Sequence, residues 1–211
     1  KSSDGQAVHI RSLTEALVRR GHDLAIVGPE DGNPGDRPLD AAAGEGGLRR
    51  FLPPPVYELA EIAYSAPAYL KLAARAKAFA PHVLYERYNL YFHSGVRLAR
   101  ATGLPFLLEV NAPLAEERER HGNLALKSLA WASEASIWRA ADRVLPVTRA
   151  LADYVEKAGV DPARIDVIPN GVEAMFLEER DPRPVRARYG LEGKIVLGFI
   201  GFVRDWHGLD R

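Results

Sequence analysis

Polar side chains gather where short apolar runs end. Val83, Leu84 and Tyr85 lead into Glu86, Arg87, Tyr88 and Asn89, while residues 106–108 lead into Glu109, Asn111 and Pro113. Residues 144–147 end at Thr148, and residues 166–169 end at Asn170 and Gly171. Carboxylate, guanidinium, phenol and carboxamide groups at one sheet edge suit a polyhydroxylated, phosphate-bearing ligand. Each also has a structural competitor. Thr148 stands just before a helix, where N-capping is the better reading, and Asn170-Gly171 is as good a tight turn as a ligand contact. Arg87 and Asn111 divide evenly between the two roles. Asp4 and Gly5 open a helix, where a small residue lets backbone N–H groups face an anion, although Asp4 also fits an N-cap.

Other chemistries lack their residues. The six His are scattered with no pair at ligand spacing, and no Asp-x-Asp stands at a strand end to hold a metal on a diphosphate. Neither a Gly-x-Ser-x-Gly elbow nor a Gly-x-Gly-x-x-Gly fingerprint occurs. Residues 44–47 (Gly-Glu-Gly-Gly) neither follow a clear strand nor open a helix, so they read as loop. No metal and no cofactor is expected. Lys plus Arg equals Asp plus Glu at 28 each, so no global field recruits nucleic acid. The chain has no Cys, which is compatible with a reducing compartment. With 211 residues and 47% hydrophobic content it is long enough for one domain and part of another.

The elements that must position these groups alternate. Helices are expected over residues 6–20, 91–102 and 149–158, each stopped by a glycine: Gly21, Gly103 and Gly159. A short β-rich run follows each, at 24–27, 106–110 and 164–168, and residues 83–85 and 144–147 add two more. Longer helical stretches cover 56–79, interrupted at Pro67, and 115–141; residues 30–47 read as a mobile surface loop. Helix, glycine, strand in repetition means parallel βαβ units in a doubly wound α/β sheet, with ligands beyond the carboxyl ends of the strands. The opening helix has no strand before it, which implies a central strand upstream of Lys1. We divide the chain into a domain over 1–180, a linker over 181–193 and the start of a second domain over 194–211, which opens with a strand expected at 194–200.

Four segments together resemble family-4 glycosyltransferases. Gly5 to His9, continuing through Leu13, Leu17 and Gly21-His22-Asp23, is similar to their first helix, and Ala141-Asp142 to Thr148 to their Ala-Asp-x-Val-Ile-x-Val-Ser segment. Residues 167–173 with Phe176 resemble their Val-Ile-Pro-Asn-Gly-Val-Asp…Phe signature, and residues 199–201 followed by His207 resemble the opening of their donor domain. The resemblance implies a GT-B enzyme with two Rossmann-like domains, of which this chain carries the acceptor-side half. It would transfer a sugar from a nucleotide sugar to a carbohydrate or lipid-linked acceptor, retaining configuration without a metal.

By the same resemblance Gly5, Asn170, Gly171, Gly201, Arg204 and His207 would serve the donor, with Asn111 as the candidate catalytic residue. His9, Arg87, Tyr88 and Glu109 are the expected acceptor contacts. Asp4 replaces the first glycine of the family's pair, Asn111 a histidine, and Phe202 an arginine that Arg204 could supply. Cytoplasmic residence, with peripheral contact at the inner face of a membrane, is the family-level expectation. A GT-B epimerase acting on a free nucleotide sugar and a non-catalytic sugar-binding α/β protein remain the alternatives.

Overall fold

A computed structural model describes residues 5–28, 52–122, 124–172 and 177–199. The chain divides into two compact units, residues 1–171 and 172–211.

The first unit opens with α1, Gly5–Arg19, whose last turn carries Arg19 against the negative helix end. Gly21 follows at a φ of +84°. The long helix α2, Pro54–Phe79, starts with prolines in its first turn, where the missing N–H costs nothing. It runs unbroken through Pro67, so the interruption expected there does not occur. Packing of both halves holds the helix together: Tyr57, Glu58 and Ser65 are buried in one, and the other lies along α3.

Three strands make a parallel sheet in the order β1 (Leu84–Arg87), β2 (Phe106–Val110) and β3 (Arg143–Pro146). Arg87 lies opposite Glu109, and Val110 opposite Pro146. Helix α3, Ser94–Thr102, connects β1 to β2, and α4, Leu114–Arg120, with α5, Lys127–Ala140, connects β2 to β3. Helix α6, Arg149–Lys157, follows β3, and Thr148 caps it by accepting from the Leu151 N–H at 3.1 Å. Residues 165–168 lie alongside β3, joined by a Val144–Ile165 bridge and by N–H bonds from Asp166 and Ile168.

The core lies between this sheet and its helices. Phe106, Leu108 and Val110 on β2 are fully buried with Ile137, Trp138, Val144 and Val155, the near-continuous apolar strand of a parallel sheet covered on both faces. Asp142 belongs to the frame, because its carboxylate accepts from the Phe106 N–H at 2.7 Å and fixes the start of β2.

Several expectations need correction. Residues 24–27 form no strand, and Leu24 and Ile26 stay exposed. Among the described residues no neighbouring strand offers them a ladder, and an unpaired strand leaves its backbone groups without partners. The helix expected over 115–141 is two helices, broken where Gly122 takes a φ of +68°. The helix expected from Tyr91 begins at Ser94 because Tyr91 itself has a φ of +66°, which no α-helix accommodates. The loop expected over 30–47 lies outside the described residues.

In the second unit a short helix, Arg183–Tyr189, occupies part of the expected linker and ends at Gly190 with a φ of +62°. Arg186 holds the following turn by donating to the carbonyls of Leu191 and Lys194. Residues 194–199 form no strand, and Ile195 and Leu197 are almost wholly exposed.

Candidate active site

One carboxylate organises the carboxyl edge of the sheet. Glu109 is the penultimate residue of β2, the charged exception in an apolar strand, and is only 5% exposed. A buried carboxylate is tolerated when donors satisfy both its oxygens. Here Oε1 accepts from Arg87 Nη1 at 3.1 Å and from Asn111 Nδ2, while Oε2 accepts from the Tyr85 hydroxyl and from His9 Nε2 at 3.1 Å. Four segments therefore converge: α1 supplies His9, β1 supplies Tyr85 and Arg87, β2 supplies Glu109, and the residues after β2 supply Asn111.

Alternation along β1 explains the pairing. Tyr85 and Arg87 are two residues apart and share one face, and the parallel register sets Arg87 directly beside Glu109. Glu86, between them, points to the other face, where its Oε2 would meet a Cβ on Gly95 at 2.1 Å. Its Oε1 is buried with no partner among the described residues, and burial pushes the carboxyl up to about 8 despite the Gly95 N–H bond.

The charges in the cluster are set by its hydrogen bonds. Burial pushes the Glu109 pKa up, but bonds from Asn111, Tyr85 and His9 outweigh it and hold the carboxylate ionised, below its usual range. Burial, then the bond to Glu109 and its charge, raise the Tyr85 phenol and keep it neutral. Since the carboxylate has no proton to offer, His9 Nε2 carries the hydrogen of that bond. The arrangement presents a fixed anion ringed by neutral and cationic donors, which can orient hydroxyl groups.

Of the expected site residues, His9, Arg87, Glu109 and Asn111 come together. Gly5 begins α1, one turn before His9 and roughly 6 Å along the axis from that residue's backbone. Tyr88 does not join them: it is 7% exposed, stacks edge-on against Trp138 and donates to Glu134 at 2.9 Å inside the core. Asn170 and Gly171 are exposed at the end of the first unit. Gly201, Arg204 and His207 lie outside the described residues. Tyr85 was missed, although its two-residue spacing from Arg87 was the signal that could have found it. Among the described residues no group of three or more His, Asp or Glu is placed to hold a metal ion.

A comparison with known protein families matches residues 3–175 to Glycosyltransferase Family 4. The chain belongs to that family. The match spans the whole Glu109 cluster, from His9 to Asn111. The protein is accordingly a glycosyltransferase domain with a Rossmann-like α/β fold. A search of curated proteins returns no match. No described helix of this family-4 domain is long and apolar enough to cross a membrane.

Proposed function

We propose that this family-4 domain binds the acceptor for transfer of a sugar from a nucleotide sugar to a carbohydrate or lipid-linked acceptor. The Glu109 cluster carries the reading: an ionised carboxylate at a strand end, with His9, Arg87 and Asn111 fixed around it, suits recognition of sugar hydroxyls. Asn111 is the candidate for contact with the reacting sugar. Gly5 at the N-terminus of α1 suits the donor diphosphate, because that end presents backbone N–H groups. Asn170, Gly171, Gly201, Arg204 and His207 complete the donor contacts in this reading, with residues 194–211 opening the nucleotide-sugar domain across a 181–193 linker. Transfer would retain anomeric configuration and use no metal, in a cytoplasmic enzyme.

The test is kinetic, in an enzyme that joins this domain to a complete nucleotide-binding domain. Glu109→Gln should lower kcat/KM for the acceptor while leaving donor KM unchanged, and the product anomer reports the stereochemistry. The 211-residue chain alone should show no transfer, with or without Mg²⁺, because the acceptor hydroxyl and anomeric carbon must be held together. Isomerisation of free nucleotide sugar without acceptor would establish an epimerase instead. Binding of sugar without turnover of any donor would leave a sugar-binding protein.

A further inference from the structure

Two exposed aromatic rings are tied to α4. Trp131, in the second turn of α5, is 40% exposed, whereas Trp138, two turns further on, is buried. The Trp131 indole Nε1 donates to Glu119 Oε2 at 2.9 Å, and Lys127, one turn earlier on α5, holds the other oxygen of that carboxylate at 3.0 Å. Tyr154 on α6 is 38% exposed. Its phenol bonds to Glu116, and that bond, then the carboxylate's charge, hold its pKa above the usual range. Lys157 sits over the Tyr154 ring, 5.9 Å from its centroid, a cation–π contact that steadies it. Glu116 and Glu119 are three residues apart on α4, so both anchors share one helix face, about 4.5 Å apart along the axis.

Holding an exposed ring in one orientation removes rotamer freedom that a side chain in water would keep. Such restraint suits a surface that meets a ligand already set for it. The groups around the rings select the ligand. An apolar protein partner would desolvate Glu119 and Lys127 beside Trp131, which is unfavourable for charged groups. A pyranose would not. Its C–H face lies against the electron-rich face of an aromatic ring, and its rim of hydroxyls keeps a neighbouring carboxylate and ammonium hydrogen-bonded. One helical turn between the two anchors is close to the length of one sugar unit in a chain. Helix α4 starts three residues after Asn111, at the carboxyl end of β2. A chain lying over these rings therefore continues from the edge where the Glu109 cluster sits.

We propose that Trp131 and Tyr154 form a stacking platform for a carbohydrate chain, with Glu119 and Lys127 as partners for its hydroxyls. The platform rests on the carbohydrate-acceptor reading above and makes that acceptor a chain of several pyranose units rather than a single sugar.

The experiment is affinity electrophoresis of the full chain in native gels cast with dextran or with hydroxyethyl cellulose. Stacking reads a C–H face rather than a pattern of hydroxyls, so these neutral polysaccharides serve as probes. Wild type should be retarded relative to a gel without polysaccharide. Trp131→Ala should weaken the apparent Kd by about tenfold and Tyr154→Ala by about threefold, the range of one aromatic contact. Trp131→Phe keeps a ring and should retain most of the binding, and circular dichroism checks that each variant folds. In the two-domain enzyme, the preference for a hexasaccharide acceptor over the matching monosaccharide, as a ratio of kcat/KM, should fall about tenfold in Trp131→Ala. Wild type that migrates unretarded in both gels overturns the proposal, as does retardation that ignores Trp131→Ala. A preference for the hexasaccharide that persists unchanged in Trp131→Ala removes the platform from acceptor binding. Absence of transfer by the two-domain enzyme, with retardation that still depends on Trp131, would instead overturn the acceptor reading and leave a carbohydrate-binding surface.

Discussion

Replacing Glu86 by Gln should make this domain more stable at alkaline pH and leave it nearly unchanged in acid. The Glu86 carboxyl lies between β1 and α3, accepting from the Gly95 N–H on one oxygen, with the other buried and unpartnered. Its pKa rises from the usual 4.5 to about 8, with burial as the main cause. Between those values the folded chain holds a proton that the unfolded chain has released, so stability falls as pH rises through that window. The full shift corresponds to roughly 5 kcal/mol. Because the rest of the side chain is only partly covered, solvent reduces this to about 2–4 kcal/mol. Gln reproduces the protonated acid: one oxygen still accepts from Gly95 and no charge is buried. Urea unfolding of both proteins at pH 5 and pH 8 measures the effect. Wild type should lose about 2–4 kcal/mol relative to Glu86→Gln on going to the higher pH. Curves for the two proteins that stay parallel across this range would refute the reasoning.

Other substitutions separate the remaining roles. Asn111→Ala removes a bond to an ionised carboxylate and should cost about 10- to 100-fold in kcat/KM, measured in the two-domain enzyme. Thr148→Ala deletes the cap of α6 and should cost about 1 kcal/mol in chemical denaturation, without altering acceptor KM. Arg204→Ala should raise donor KM or lower kcat/KM by about 10- to 100-fold if its guanidinium meets the diphosphate; unchanged donor kinetics would move that role to His207 or beyond.

How legible each part was in the sequence follows from what decides it. Residues 106–110 were read as a strand at the observed bounds, because an apolar β-rich run after a helix and glycine has few other solutions. Glu109, Arg87 and Asn111 were named from residue type and position at strand ends, and His9 from the segment that resembles the family's first helix; the meeting of Arg87 and Glu109 needed the register of β1 against β2. Tyr88 was named with them on the same grounds, yet its side chain enters the core, which adjacency to Arg87 does not reveal. Residues 24–27 have the composition of a buried strand, but composition cannot supply a neighbour to pair with. The break between α4 and α5 rests on one glycine and on Glu58, far away in sequence. No local window contains both.

That distant carboxylate sets an order on folding. Glu58 on α2 is 2% exposed and accepts from the Ala125 and Leu126 N–H groups, 67 and 68 residues onward, and from the Tyr91 hydroxyl at 2.8 Å. Helix α5 has no side-chain cap of its own at Leu126, and the two residues that lead into it are held by an anion from another helix. Until α2 has docked, the start of α5 is frayed and Tyr91, with its positive φ, lacks the hydroxyl partner that holds it. The three segments therefore close together as one cooperative event spanning a third of the chain, and an α2 that detaches would loosen the beginning of α5 before the sheet itself opened.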